Sequence, residues 1–142
     1  MFTLFIGTES DRNGDKIDAR VARTAIRAIK LAALKLFGGY SISSVDGGWI
    51  DPKTGLPVEE IALRLELIID GDPAKRLTPV ASAFAFAQWC AGQLNQSAVL
   101  LVGPGFGPPQ TFVNNPFPNP PTNLSFPNSA ELEAARVSDV AS

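Results

Sequence analysis

Two adjacent acidic residues, Glu59 and Glu60, are the strongest candidates for chemistry in this chain. They lie at the start of an alternating segment, residues 58–69, that predicts a β-strand with its side chains on two opposite faces. Glu60 would then share a face with Arg64 and Glu66. If subunits bury that face, Glu60 is desolvated and can bind a cation or pair with Arg64. The alternative is an ordinary ion pair at a surface or interface.

Other groups suited to catalysis are scarce. The chain has no histidine and a single cysteine, Cys90. It therefore lacks the residues for a Ser-His or Cys-His catalytic arrangement and for an ordinary zinc site. Cys90 lies in an apolar helical segment and is interpreted as an inert core thiol. The glycine-rich run at 103–107 leads into prolines and does not open a helix, so it is a poor phosphate cradle. We therefore expect no metal and no cofactor.

Length and charge limit the classes of protein to consider. The chain has 142 residues, which suits one domain of about 100 residues with an appendage. Its formal net charge is −2, which gives no general attraction to nucleic acid or to anionic membranes. The sequence contains no apolar run long enough to span a bilayer, and its first residues lack the basic start of a signal peptide. We expect no nucleic-acid or membrane partner and no signal-directed secretion.

The order of predicted elements indicates an α+β fold. Apolar or alternating runs predict strands at residues 2–7, 40–45, 58–69 and 98–102. Helical periodicity predicts helices at 18–37 and at 78–94, the second capped by Thr78, and residues 46–55 are predicted to form a long hairpin connection. The order β-α-β-β-α-β predicts a ferredoxin-like sandwich, with two helices on one face of a four-stranded antiparallel sheet. Burial of the open face between copies would give a small cyclic oligomer.

The C-terminal part has an unusual composition. No charged residue occurs from Leu77 to Ala130, and the chain from Gly103 onward holds eight of the twelve prolines. We divide the chain into a ferredoxin-like domain, residues 1–103, and an extended Pro-rich arm, residues 104–142 with a short helix at 129–137. The arm also carries four phenylalanines that are predicted to fill pockets on a partner protein: Phe106, Phe112, Phe117 and Phe126. A floppy linker is the alternative.

A resemblance to a known family covers roughly residues 1–102. Its motifs are residues 39–44, Gly47-Gly48-Trp49, residues 57–60, Trp89 and residues 96–100. In these positions the chain resembles the phage S-adenosylmethionine (SAM) lyases, which degrade SAM. The resemblance implies a trimer of ferredoxin-like or PII-like fold with SAM as the substrate. It also implies a site between subunits to which a paired glutamate contributes, here Glu59 and Glu60. The Pro-rich arm departs from that family.

Three functions follow from these observations. The first is a non-enzymatic structural protein of a phage virion, a decoration, cement or tail-assembly component, whose trimeric domain is held by arms lying on neighbouring subunits. The alternative is a SAM-cleaving lyase with its site at the trimer interface and Glu60 nearest the ligand. A small-ligand regulator of PII-like architecture ranks last, because the sequence has no clear nucleotide-binding loop. The expected location is the virion or the host cytoplasm.

Overall fold

The computed structural model describes residues 1–51, 54–68, 79–96, 98–104, 111–114 and 126–134, with the backbone alone at Trp49 and at 111–114. Within these residues the named elements are β1 (Phe2–Gly7), α1 (Ala19–Phe37), β2 (Tyr40–Ile50), β3 (Pro57–Leu67), α2 (Pro79–Gln93), β4 (Ala98–Val102) and β5 (Thr111–Asn114). The first six confirm the predicted β-α-β-β-α-β order and the α+β class. The last strand lies in the segment predicted to be an extended arm.

The described strands form one antiparallel sheet in the order β2-β3-β1-β4-β5. The order of the first four is that of a ferredoxin-like sandwich, and β5 extends it at one edge. The ladder between β1 and β3 runs from Phe2 opposite Leu67 to Gly7 opposite Ala62. The ladder between β2 and β3 is longer and continues to Ile50 opposite Pro57. The end of the β2–β3 hairpin therefore projects beyond β1.

This projecting hairpin differs from the prediction. Residues 46–50, predicted as part of a connection, belong to β2 and pair in register with residues 57–61 of β3. The prediction is wrong there because Asp-Gly-Gly is a poor strand former by composition, while the partner strand supplies a complete ladder. The connection is a shorter turn, in which Gly55 N donates to Asp51 O at 2.7 Å and Asp51 N donates to Leu56 O at 2.9 Å.

The first helix is amphipathic and capped at both ends. Asp18 is its N-cap, and its side chain accepts hydrogen bonds from the amides of Arg20 and Val21. Gly38 ends the helix in the left-handed region with φ of 86°, where a residue with a Cβ is strained. The buried face of the helix consists of Ala25, Ala28, Ile29, Ala32 and Ala33. Small side chains on this face let the helix lie close to the sheet.

The second helix is buried around much of its circumference, as its lack of charge predicts. Its buried residues are Ser82, Ala83, Ala85, Phe86, Ala87, Cys90 and Ala91. Phe86 is fully buried and meets the ring of Phe37 edge to face, with centroids 5.2 Å apart. Burial raises the pKa of the Cys90 thiol well above its ordinary value, in keeping with a packing role. The predicted cap, Thr78, lies outside the described residues.

The core lies between the sheet and the two helices. On β1, Phe2, Leu4 and Ile6 face the helices, and on β3 Leu63, Leu65 and Leu67 do the same. Ile61, which the alternation of residues 58–69 places on that same face, is 46% exposed because the β1 ladder ends opposite Ala62 and the hairpin continues alone. No helix in the described parts of the chain has the length and hydropathy needed to cross a membrane.

Parts of the predicted arm contact the chain itself. β5 pairs with β4 over four residues, from Ala98 opposite Asn114 to Leu101 opposite Thr111. Farther along, the ring of Phe126 stacks on that of Trp89 in α2, with centroids 4.9 Å apart and planes 13° apart. Residues 129–134 are helical, and Glu131 pairs with Lys35 of α1 at 2.8 Å. The division of the chain into a domain and an arm at residue 103 remains a prediction. The segments described here contact the helices and the sheet of the same chain.

Candidate functional site

Glu59 and Glu60 lie where β3 projects beyond β1. In the β2–β3 ladder Glu59 is opposite Gly48 and Glu60 is opposite Gly47. Neighbouring strand residues point to opposite faces, and their environments differ accordingly. Glu59 is exposed, whereas Glu60 is only 8% exposed. The predicted pair therefore consists of one solvated carboxylate and one largely desolvated carboxylate.

The segment after β1 is what covers Glu60. Its Oε2 accepts a hydrogen bond from the amide of Ser10 at 3.2 Å, and its other oxygen lies over the Cα of Gly7. Burial raises the pKa of Glu60, as does the nearby carboxylate of Glu9 to a smaller degree. Hydrogen bonds with the backbone of Ser10 and Glu9 lower it, but burial is the largest effect. Residues of the same chain are thus sufficient to desolvate Glu60.

Glu9 makes the reciprocal contact. Its Oε1 accepts a hydrogen bond from the amide of Ile61 at 2.9 Å, and Thr8 Oγ1 donates to Ile61 O at 2.8 Å. Each glutamate therefore binds the amide that follows the other one along the chain. These side-chain bonds join the β1–α1 loop to β3 after the backbone ladder has ended.

The segment between α2 and β4 also holds the β1–α1 loop in place. Gln96, which follows α2 and is 9% exposed, donates from Nε2 to Ser10 O at 2.6 Å and to Leu94 O at 3.2 Å. Arg12 returns a bond from Nη2 to Gln96 O at 3.2 Å. The carboxamide of Gln96 thus fixes the same residue, Ser10, whose amide binds Glu60.

Glu9 and Glu60 border an open cleft of about 510 Å³. It is lined by Glu9, Asp46, Gly47, Gly48, Glu59, Glu60 and Ile61. Four of the seven lining residues carry a carboxylate, so the cleft has a negative potential suited to a cationic ligand. In the described residues, no group of three or more acidic, cysteine or histidine side chains is arranged to hold a metal ion.

The two interactions predicted for Glu60, pairing with Arg64 and binding of a cation, have different outcomes. Arg64 does not pair with Glu60 but with Glu66, its neighbour on the same face, at 2.7 Å. Binding of a cation by Glu60 stays a prediction, and the cleft offers it a place. Sequence reasoning missed Gly7, Glu9 and Ser10. The signal that can find them is topological, because the end of β1 must meet the start of β3 in an antiparallel pair.

The four phenylalanines predicted to bind a partner lie in different surroundings. Phe126 packs against the core of its own chain through Trp89. Phe112 belongs to β5, and its backbone pairs with Leu100. Phe106 and Phe117 lie outside the described residues. Their binding to a partner stays a prediction.

Comparison with known proteins gives matches among solved structures alone. No protein-family model and no curated protein matches the chain. A phage SAM lyase in complex with S-methyl-5′-thioadenosine superposes with a TM-score of 0.50 and 14% identity, covering 80% of this chain and 87% of that chain. A phage SAM lyase in the apo state gives a TM-score of 0.44 and 15% identity over 80% of this chain and 79% of that chain. The first likeness confirms the resemblance at the level of the fold.

Proposed function

We propose that this protein cleaves SAM and that the acidic cleft at Glu59 and Glu60 is where the substrate binds. The observation that carries the proposal is the cleft itself: four carboxylates around about 510 Å³, one of them held almost without solvent. SAM is an organic cation with a sulfonium and an ammonium group. The shared fold with a phage SAM lyase that holds S-methyl-5′-thioadenosine supports this substrate over other cations.

The two positive charges of SAM behave differently during cleavage. Release of methylthioadenosine breaks the bond between the sulfonium sulfur and the aminobutyrate carbon chain, and the sulfur keeps the electron pair. An oxygen of the substrate's own carboxylate can supply the pair for the new bond to that carbon, which closes a lactone. The sulfur loses its charge in this step, so a carboxylate beside it would stabilise the substrate more than the transition state. The ammonium group keeps its charge throughout. We therefore assign Glu60, the fixed carboxylate, to the ammonium end of the substrate, where it orients the chain without opposing cleavage.

The assay is incubation of the purified full chain with SAM, with methylthioadenosine measured by liquid chromatography and mass spectrometry. We expect turnover by the wild type and at least a tenfold loss in Glu60→Gln, because a charge-assisted contact contributes about 1.5–3 kcal/mol. Glu66→Gln is the matched control, since Glu66 lies on the same strand and pairs with Arg64 outside the cleft lining. Absence of turnover together with absence of binding by calorimetry would remove the proposal.

The trimer belongs to the same proposal. The cleft is open to solvent, and the projecting hairpin beside it exposes Ile50 and Leu56, at 61% and 63%. A second copy covering these side chains would close the cleft and complete the site. Light scattering of the purified chain tests this directly, and a monomer that still turns over SAM would contradict it.

The virion-assembly function has weaker support. It relied on an arm that is covered by another protein, yet Phe126 and Glu131 contact α2 and α1 of their own chain. Its test is removal of residues 105–142 followed by measurement of incorporation into particles. Normal incorporation of the shortened chain would exclude the assembly role.

A further inference from the structure

The carboxylate of Glu60 occupies space that only a glycine leaves free. Gly7 is the last residue of β1 and lies opposite Ala62. Glu60 precedes Ala62 by two residues, so its side chain reaches diagonally across the ladder towards Gly7. A Cβ built on Gly7 would collide with Glu60 Oε1 and would lie 2.8 Å from Gln96 Oε1. Real Cβ atoms do not approach other atoms so closely, and any larger residue must displace both side chains.

We propose that Gly7 is a positioning residue, which together with the Ser10 amide holds the carboxylate of Glu60 in the acidic cleft; this inference rests on the proposed function. The geometry supplies two restraints on the same carboxylate. The amide of Ser10 binds one oxygen at 3.2 Å, and the bare Cα of Gly7 leaves room for the other. Gln96 secures the first restraint, because it holds the carbonyl of Ser10 at 2.6 Å.

Packing of the core does not account for a glycine at this position. The atoms that a new Cβ would meet are the ends of two flexible polar side chains, and no backbone atom is among the three nearest. Alanine at position 7 can therefore be accommodated by rotation of Glu60 and Gln96 away from their observed places. We expect the fold to survive such a change, whereas the carboxylate must leave its observed position.

The first experiment follows the carboxyl group itself. The Glu60 side-chain carbon is titrated by ¹³C NMR in the wild type, in Gly7→Ala and in Gly39→Ala. Gly39 is the matched control, since its added Cβ would meet nothing within 4 Å. In Gly7→Ala the displaced carboxylate regains solvent, so we expect its pKa to fall towards the ordinary value. The Gly39→Ala variant should titrate like the wild type. An unchanged titration in Gly7→Ala would overturn the inference.

A second experiment separates this inference from the proposed function. SAM binding is measured by calorimetry in the same variants, and Gly7→Ala should bind about tenfold more weakly, as expected for loss of a charge-assisted contact. If the wild type binds no SAM but the Glu60 titration still moves in Gly7→Ala, the proposed function fails while the positioning by Gly7 stands. If SAM binds equally to wild type and Gly7→Ala although the Glu60 titration moves, the assignment of Glu60 to the substrate fails while the positioning by Gly7 stands. If neither the binding nor the titration changes, the positioning role is refuted.

A double variant covers the case in which Gly7→Ala does not fold. Gly7→Ala combined with Glu60→Ala removes the carboxylate with which the new methyl collides. Folding of the double variant, when the single variant fails, supports the collision as the cause. Failure of both, with Glu60→Ala alone folded, would mean that glycine is needed for another reason and would overturn the inference.

Discussion

Replacing Glu60 by glutamine should stabilise the fold at neutral pH while impairing the site. The carboxylate is 8% exposed, and burial is the largest effect on its pKa, which is raised above the ordinary value. Glutamine has nearly the same shape, and its Oε1 can still accept the Ser10 amide. The substitution therefore removes a poorly solvated charge and keeps the hydrogen bond that anchors the side chain.

Two opposing effects set the magnitude. A hydrogen bond to a charged acceptor stabilises by about 1 kcal/mol more than one to a neutral acceptor, which favours glutamate. Desolvation favours glutamine, and the direction of the pKa shift shows that it exceeds the hydrogen bonds from the backbone. We expect a net gain in the free energy of unfolding for Glu60→Gln, of the size usual for a stabilising single substitution, on the order of 1 kcal/mol. For a chain of this size that is roughly 4 °C in Tm.

The pH dependence has a defined sign. A carboxyl group with a raised pKa in the folded state binds its proton more tightly there than in the unfolded chain. Its contribution to stability is complete below the unfolded value of 4.5 and is lost as the pH rises through the folded pKa. Wild type and Glu60→Gln should therefore be similar in stability below pH 4.5. The advantage of the variant should appear as the pH rises above that value.

Urea denaturation at a series of pH values, followed by circular dichroism, measures the difference in free energy of unfolding. The matched control is Glu59→Gln, on the same strand but exposed, for which we expect a change within about 0.5 kcal/mol. A Glu60→Gln variant that is less stable than wild type at pH 7 would refute the reasoning. So would a stability gain that is the same at pH 4 and pH 7, because it would owe nothing to ionisation.

Three further predictions concern the parts of the chain around the site. Phe126→Ala removes the ring stacked on Trp89 and should destabilise the protein by about 2 kcal/mol in urea denaturation. Glu131→Gln breaks the pair with Lys35, and this pair lowers the pKa of Glu131. The wild type should lose the small stabilisation from the pair as the pH falls below 4.5 and as salt is added. The variant should show neither effect. Asp18→Ala removes the N-cap of α1 and should cost about 1 kcal/mol, measured by thermal unfolding.

Much of the fold could be predicted because periodicity reports burial directly. The alternation Leu63, Leu65, Leu67 identifies the face of β3 that meets the helices, and these residues are buried as expected. The same reasoning failed at Ile61, where the alternation continues but the neighbouring strand ends. A pattern in one segment cannot tell how far its partner extends. For this reason the sequence does not predict that β2 continues through residues 46–50 or that Ile61 is exposed.

The short fifth strand is a different kind of miss. Residues 111–114 are flanked by prolines, which favour extended backbone without hydrogen bonds. The composition therefore predicts an extended arm. Its pairing with β4 depends instead on the tertiary structure, which places the edge of β4 next to this segment. Edge strands are often short and carry few local signals, so pairing with a distant segment decides their structure.

At the candidate site, sequence reasoning singled out Glu60 but not its surroundings. The hypothesis attributed desolvation of Glu60 to burial between subunits. In the structure, Gly7 and Ser10 of the same chain cover it, with Gln96 behind them. All three residues are distant from Glu60 in the sequence, and none is of a type that marks a site. The antiparallel register of β1 and β3 brings Gly7 and Ser10 to Glu60, and the segment between α2 and β4 adds Gln96.

The absence of charge in the second half of the chain has one physical reason along part of its length. In α2 and β4 uncharged side chains are required because the elements are buried, as at Phe86, Cys90 and Leu101. Phe126 and Pro127 share that reason, since Phe126 stacks on Trp89 and Pro127 is itself buried. Charge returns at Glu131, where the segment reaches Lys35 at the surface of α1. At Phe126 and Pro127, the lack of charge is therefore accounted for by packing within this chain, while binding of the arm to a partner stays a prediction.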